Sequence, residues 1–101
     1  MQNELSRLEQ NIRNGNLALA VKQLDAMKNN FSNDDFFWYL ASAVYEKTDV
    51  ELAVRAMDKA ILINTNNINY YYRRAKFLQN TKDYQKAKSD YKLLEQRVSP
   101  N

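Results

Sequence analysis

Apolar residues recur along this chain at helical spacing, and they do so in pairs of stripes. Phe37, Leu40, Ala41 and Val44 stand at i, i+3, i+4 and i+7, one face of a helix. Val50, Ala53, Met57 and Ala60 make a second such face. Between them lies Glu46-Lys47-Thr48-Asp49, a short polar turn whose last residue can cap the second helix through its carboxylate. The two stripes close on each other as an αα-hairpin, and the small Ala41 and Ala53 let the backbones approach. Phe36 with Ala43 forms a further stripe on the first helix, which therefore has two neighbours.

The pattern repeats. A shift of 34 residues places Phe37 on Tyr71, Ala41 on Ala75, Val44 on Leu78, Val50 on Tyr84, Ala53 on Ala87 and Met57 on Tyr91. Asp49 falls on Asp83, a second candidate cap. The extra stripe returns as Tyr70 with Phe77. Two pairs break the register: Leu40 meets Arg74, and Ala60 meets Leu94. A looser unit precedes these two. Leu5, Leu8 and Ile12 form its first stripe, Gly15-Asn16 its turn, and Leu17, Ala20, Leu24 and Met27 its second stripe. Its hairpin turn reads one residue shorter, and its connection to the next unit reads shorter too. Helices are expected near 2–14, 17–30, 34–47, 50–63, 67–80 and 84–97.

A self-similar period of this length is the mark of a stacked array, in which each unit covers its neighbour and no unit has a core of its own. The fold class expected is all-α: a right-handed superhelix of three antiparallel helix hairpins, an α-solenoid. Residues 1–101 form one domain with units at about 1–33, 34–67 and 68–101.

The residues that carry this repeat resemble the tetratricopeptide family, whose pattern is W-x2-L-G-x2-Y followed by small and aromatic positions on the second helix. The middle unit reads FWYLASAVYEKTDVELAVRAMDKAI, with Phe37 in the Trp place, Leu40 in the Leu, Ala41 in the Gly, Val44 in the Tyr, and Ala53 and Ala60 in the two Ala places. The third reads YYRRAKFLQNTKDYQKAKSDYKLL, with Tyr71, Ala75, Leu78, Tyr84, Ala87 and Tyr91 in register. Arg74 departs from the family's Leu, Glu9 falls near the close-packing position of the first unit, and Pro comes only at Pro100. The resemblance implies a concave groove lined by first helices, which holds a peptide or a partner helix, and no enzymatic activity.

Groove candidates follow from the first-helix positions outside the apolar stripes. Unit two offers Asp35, Trp38, Tyr39, Ser42 and Tyr45; unit three offers Asn69, Tyr72, Arg73, Lys76 and Gln79; unit one offers Ser6, Gln10 and Arg13. Trp38 stands out, because Trp, Tyr and Arg dominate binding hot spots. Its other reading is a core residue packed on a neighbouring helix edge. Arg73 and Lys76 share a helix face, as a carboxylate-binding wall or as a solvated basic face. The resemblance also implies a test for the clamp by which some family members hold chaperone tails. That clamp wants Lys and Asn where Ser6 and Gln10 stand, Asn at Tyr39, and Lys and Arg at Asn69 and Arg73. Only Arg73 matches, so the clamp is not expected.

Composition narrows the rest. One Gly, one Pro and 45% apolar residues suit long helices with short connections. The absence of Cys and His removes thiol nucleophiles, disulfides, imidazole bases and most transition-metal sites. No cofactor, no metal and no catalytic residue are expected. No apolar run approaches the roughly 18 residues of a membrane span, and no signal core is visible, so the default compartment is the cytoplasm. Asn-rich, Cys-free composition points towards a bacterial source. The net charge of +3 divides unevenly into +1, −3 and +5 over residues 1–33, 34–67 and 68–101. The uneven balance reads as solvated helix faces or, more sharply, as a basic C-terminal surface for an acidic partner; RNA binding is a further hypothesis, for which +3 is a weak signal. A second hypothesis is self-assembly through the C-terminal end, where Tyr91, Leu94 and Val98 stand on an uncapped last helix.

Overall fold

A computed structural model describes the backbone of residues 2–98 and the side chains of residues 4–96. Six helices and no strand occur among the described residues: α1 (Gln2–Arg13), α2 (Leu17–Met27), α3 (Asp35–Tyr45), α4 (Val50–Ile63), α5 (Ile68–Asn80) and α6 (Tyr84–Val98). They pair as three antiparallel hairpins, α1–α2, α3–α4 and α5–α6, and consecutive hairpins pack on one another through α4 and α5 and through α3 with both α1 and α2. This is the all-helical solenoid that the 34-residue period predicts. The Cα radius of gyration, 14.0 Å, exceeds the roughly 13 Å of a compact 100-residue domain. A stack that grows along one axis has that excess.

The four helices α3 to α6 each begin at a side-chain cap, whereas Asn16 before α2 makes no such bond. Asp34 accepts from the backbone N–H of Phe36 (2.9 Å) and Phe37 (3.3 Å). Asp49 accepts from Glu51 N–H at 3.0 Å, Asn67 from Asn69 N–H at 3.0 Å, and Asp83, at a longer 3.4 Å, from Lys86 N–H. Asp49 and Asp83 were the caps read from the turns; Asp34 and Asn67 complete the set. Helix ends are marked by left-handed backbone in two hairpins. Gly15 (φ 77°) and Lys82 (φ 65°) each follow a closing pair in which the next N–H reaches back five residues, Asn16 to Asn11 and Asp83 to Leu78, both at 2.9 Å. This is the Schellman closure, which favours Gly at its left-handed position.

The core is one continuous stack. Leu8, Ala20, Phe37, Ala41, Val44, Ala53, Met57, Ala60 and Ala75 are buried essentially completely, and Ala87 nearly so. Ala41 with Ala53, and Ala75 with Ala87, are the small residues expected at the two hairpin crossings, and side chains this short leave room for close helix approach. The first hairpin packs least closely, as its looser pattern implies. Glu9 there is half-buried and pairs with Arg13 at 3.1 Å.

The connection between the first two hairpins departs from expectation. α2 ends at Met27 instead of near residue 30, and residues 28–34 make a longer connection than the four residues between α4 and α5, not a shorter one. Lys28-Asn29-Asn30 close a turn in which Asn30 N–H and Phe31 N–H both donate to Met27 O at 3.0 Å. Asn side chains compete for backbone groups and propagate helix poorly. Phe31 then stacks on Phe37 at 6.1 Å between centroids, which draws the connection back over α3.

Candidate functional site

The same connection decides the fate of Trp38. Its indole Nε1–H donates to Ser32 O at 2.8 Å, its ring meets Phe37 edge-on at 5.1 Å, and Lys59 Nζ stands 4.4 Å from its centroid. Only 5% of the residue is exposed. The expectation that Trp38 lines a groove is therefore corrected: it packs between α3, the 28–34 connection and α4. Ser42 is corrected likewise. It is fully buried, and its hydroxyl donates to Tyr39 O at 2.6 Å, a local bond that satisfies a small polar side chain inside a helix pair. Tyr45 is half-buried within electrostatic reach of Asp25 on α2; burial first, and that carboxylate second, push its phenol above the ordinary value.

Five of the ten other candidates meet. Tyr39 from α3 and Asn69, Tyr72, Arg73 and Lys76 from α5 line one open concavity of about 270 Å³. The four α5 residues fall at i, i+3, i+4 and i+7, so a single helix face supplies them. Tyr39 stacks on Phe36 at 5.8 Å and leans on Tyr70 at 5.6 Å. Arg73 lays its guanidinium over Tyr39 (4.6 Å to the centroid) and near Phe77 (5.6 Å). Lys76 Nζ sits 5.4 Å from the Tyr72 ring. Tyr72 is 49% exposed and meets Tyr91 edge-on at 6.4 Å, while Tyr91 donates its hydroxyl hydrogen to Gln79 Oε1 at 3.2 Å. Among the described residues no carboxylate lies within 4 Å of Arg73 or Lys76.

Asp35, at the start of α3, belongs to the frame between the two helices. Its carboxylate accepts from Tyr70 Oη at 2.7 Å and Asn64 Nδ2 at 3.2 Å, which ties α3 to α5 and to the end of α4. Burial alone would raise its pKa, but these bonds and the N–H groups of Asp35 and Phe36 outweigh it, and the group lies below its ordinary value. Burial, and then the bond to Asp35, push Tyr70 well above its own.

Sequence reasoning noted Arg74 only as a break in register. It is the centre of an ion-pair network. Nε and Nη2 donate to the two oxygens of Asp90, both at 2.8 Å, and Nη1 donates to Asp58 at 2.9 Å. These bonds, led by Asp90, hold the guanidinium firmly charged against its partial burial. The network lies in a second concavity of about 290 Å³, between α4 and α6, where its charges balance. The period contained a signal for it: Asp90 falls on Ala56, so the register change at Arg74 has an acidic counterpart on the next helix. Of the unit-one candidates, Ser6, Gln10 and Arg13 line a separate recess on α1 together with Glu9.

On the C-terminal helix, Tyr84 is 60% exposed. Leu94 is partly buried against the core and Tyr91 is engaged as above, while the Val98 side chain, like Pro100, lies outside the described residues. Positions matching Val54, Ile61 and Leu62 of α4 carry Lys88, Glu95 and Gln96, all exposed. No group of three or more metal-ligating side chains occurs among the described residues, and no described helix is long and apolar enough to cross a membrane.

No protein-family model and no curated protein matches the sequence. Solved structures do match the fold. One, described as a MamA RS-1 ArsTM double mutant, superposes with a TM-score of 0.85 over 97% of this chain at 19% sequence identity. The chain spans 57% of the length of that protein. At this identity the likeness shows the fold alone: an all-helical array of stacked hairpins.

Proposed function

We propose that this chain is a non-catalytic interaction scaffold that holds an extended protein segment in the concavity between α3 and α5. The observation that supports the reading most is the gathering of Tyr39, Asn69, Tyr72, Arg73 and Lys76 around one open recess, with two cations free of carboxylate partners among the described residues. Aromatic residues with an apolar body and a polar tip, set beside Arg, are the composition of binding hot spots. A helical array suits the task, since its packed second helices fix the backbone from which the first helices present these side chains.

Asn69→Ala combined with Tyr72→Ala tests this. Both residues are exposed, so the variant keeps its circular dichroism melt. Wild type and variant serve as baits, each captured protein is remade recombinantly, and its affinity is measured by calorimetry. Loss of about 1–2 kcal/mol or more of binding free energy in the folded variant is expected. Unchanged affinity of every captured partner would refute the reading.

Self-association is a second reading, favoured by Leu62, 80% exposed at the end of α4 beside exposed Ile63, and by exposed Leu19 and Val21 on α2. Light scattering over a concentration series decides it: growth in mass that Leu62→Gln abolishes supports it, and a constant monomer mass excludes it.

A further inference from the structure

Resting on the scaffold reading, we propose that the segment held between α3 and α5 is acidic. An aspartate or glutamate carboxylate of the segment docks on Arg73 and Lys76, and an adjacent apolar side chain lies on the Tyr39 and Tyr72 faces.

The argument is one of charge accounting across the groove. α5 carries Arg73, Arg74 and Lys76 and no carboxylate. Arg74 is satisfied on the opposite side of its helix by Asp90 and Asp58. The acids nearest the groove in the chain are also spoken for: Asp34 caps α3, and Asp35 receives Tyr70 and Asn64. Asp34 and Asp35 are thus held in place by neutral donors of the frame, and neither forms an ion pair with Arg73 or Lys76, which have no carboxylate within 4 Å among the described residues.

Geometry sharpens this. The Arg73 guanidinium carbon stands 4.6 Å from the Tyr39 centroid and 5.6 Å from that of Phe77, and its N–H donors have no carboxylate partner among the described residues, so they are the groups available to a ligand carboxylate. Contact with two aromatic rings restrains the side chain in advance, which reduces the rotamer entropy lost on binding. Lys76, one turn along the same face, adds a second charge without a directional demand. A recess of about 270 Å³ falls below the roughly 300–1,000 Å³ of small-molecule pockets and is open to solvent. It has room for one or two side chains of a longer chain. Two cations are also few for a phosphate backbone, whose binding rests on many simultaneous neutralisations.

The test pans a random peptide display library on the full chain. Enriched peptides are then titrated by calorimetry against wild type, Arg73→Gln, Arg73→Lys and the double variant Arg73→Glu/Lys76→Glu, each checked by its thermal melt. Enriched peptides should share an Asp or Glu beside an apolar residue. Arg73→Gln should weaken them about tenfold or more, as expected for loss of a charge-assisted hydrogen bond, and Arg73→Lys should weaken them less. The double reversal should bind the peptide whose acid is changed to Lys better than the original. Peptides that lose affinity on Tyr72→Ala but carry no acid, or ignore Arg73→Gln, would overturn the acidic assignment and leave the scaffold reading standing. No enrichment, or binding indifferent to Asn69→Ala/Tyr72→Ala, would overturn both. Displacement of the peptides by tighter-binding mixed-sequence single-stranded RNA would overturn the assignment in favour of a nucleic acid.

Discussion

Replacing Arg74 with Leu restores the residue that the repeat register has at position 40, yet the structure predicts a large loss of stability. Asp90, its bidentate partner, has a side chain only 8% exposed, whereas Asp58 is 53% exposed. Removing one member of a buried pair costs about 3–5 kcal/mol, because the other charge stays behind without its counterion. Arg74 itself is 22% exposed, and water can enter beside it, so about 3 kcal/mol is the appropriate end of that range. For a domain of this size, that lowers the melting temperature by roughly 12–24 °C. Asp58→Asn, a surface partner, should cost about 0–1 kcal/mol. The double change Arg74→Leu/Asp90→Ala copies the Leu40 and Ala56 arrangement, which is already buried and packed in unit two. It should return to within about 1 kcal/mol of the parent, since apolar replacements of buried pairs are often neutral. Urea unfolding followed by far-ultraviolet circular dichroism measures the whole cycle. If Arg74→Leu costs no more than Asp58→Asn, or if Asp90→Ala fails to relieve it, the network is not a buried pair in any energetic sense.

Three further outcomes are expected. Trp38→Ala should destabilise the fold by about 3–5 kcal/mol, the cost of emptying a buried aromatic site, and not merely weaken a partner; a urea midpoint equal to the parent's would show Trp38 to be exposed in solution. Lys82→Gly should stabilise by about 0.5–1 kcal/mol by relieving a left-handed residue, and Gly15→Ala should destabilise by about 1 kcal/mol; thermal melts of the two variants must move in opposite directions. Asp35 has a folded pKa below its unfolded one, so its contribution is present above the ordinary carboxylate value and is lost as pH falls through the lower folded value. Asp35→Asn should therefore narrow its stability deficit between neutral pH and the strongly acidic range, and a deficit that stays constant with pH would contradict the assignment.

What was legible in the sequence was what repeats. The 34-residue period fixes which side chains recur at Ala41 and Ala75 or at Ala53 and Ala87, and burial follows from size and spacing alone. Turn chemistry at Asp49 and Asp83 is local, so the caps could be read as well. Tyr39, Asn69, Tyr72, Arg73 and Lys76 could be placed on one surface because helix geometry carries the prediction. Trp38 was misplaced for a non-local reason: Ser32, in an irregular connection, folds back to accept its N–H, and nothing in helical periodicity reports where a loop returns. Ser42 is polar by composition but satisfied within its own turn, so polarity misled. Arg74 needs Asp58 and Asp90, on two other helices, before its register break makes physical sense.

The most direct measurement of the central claim is a map of amide shifts in the full chain as an enriched peptide is titrated in. The account expects the largest changes at Tyr39 and along the Asn69, Tyr72, Arg73 and Lys76 face of α5, with α2 and the far side of α6 unmoved. A map centred instead on the α4–α6 recess around Lys86 and Ser89, or on Leu19 and Val21 of α2, would contradict it.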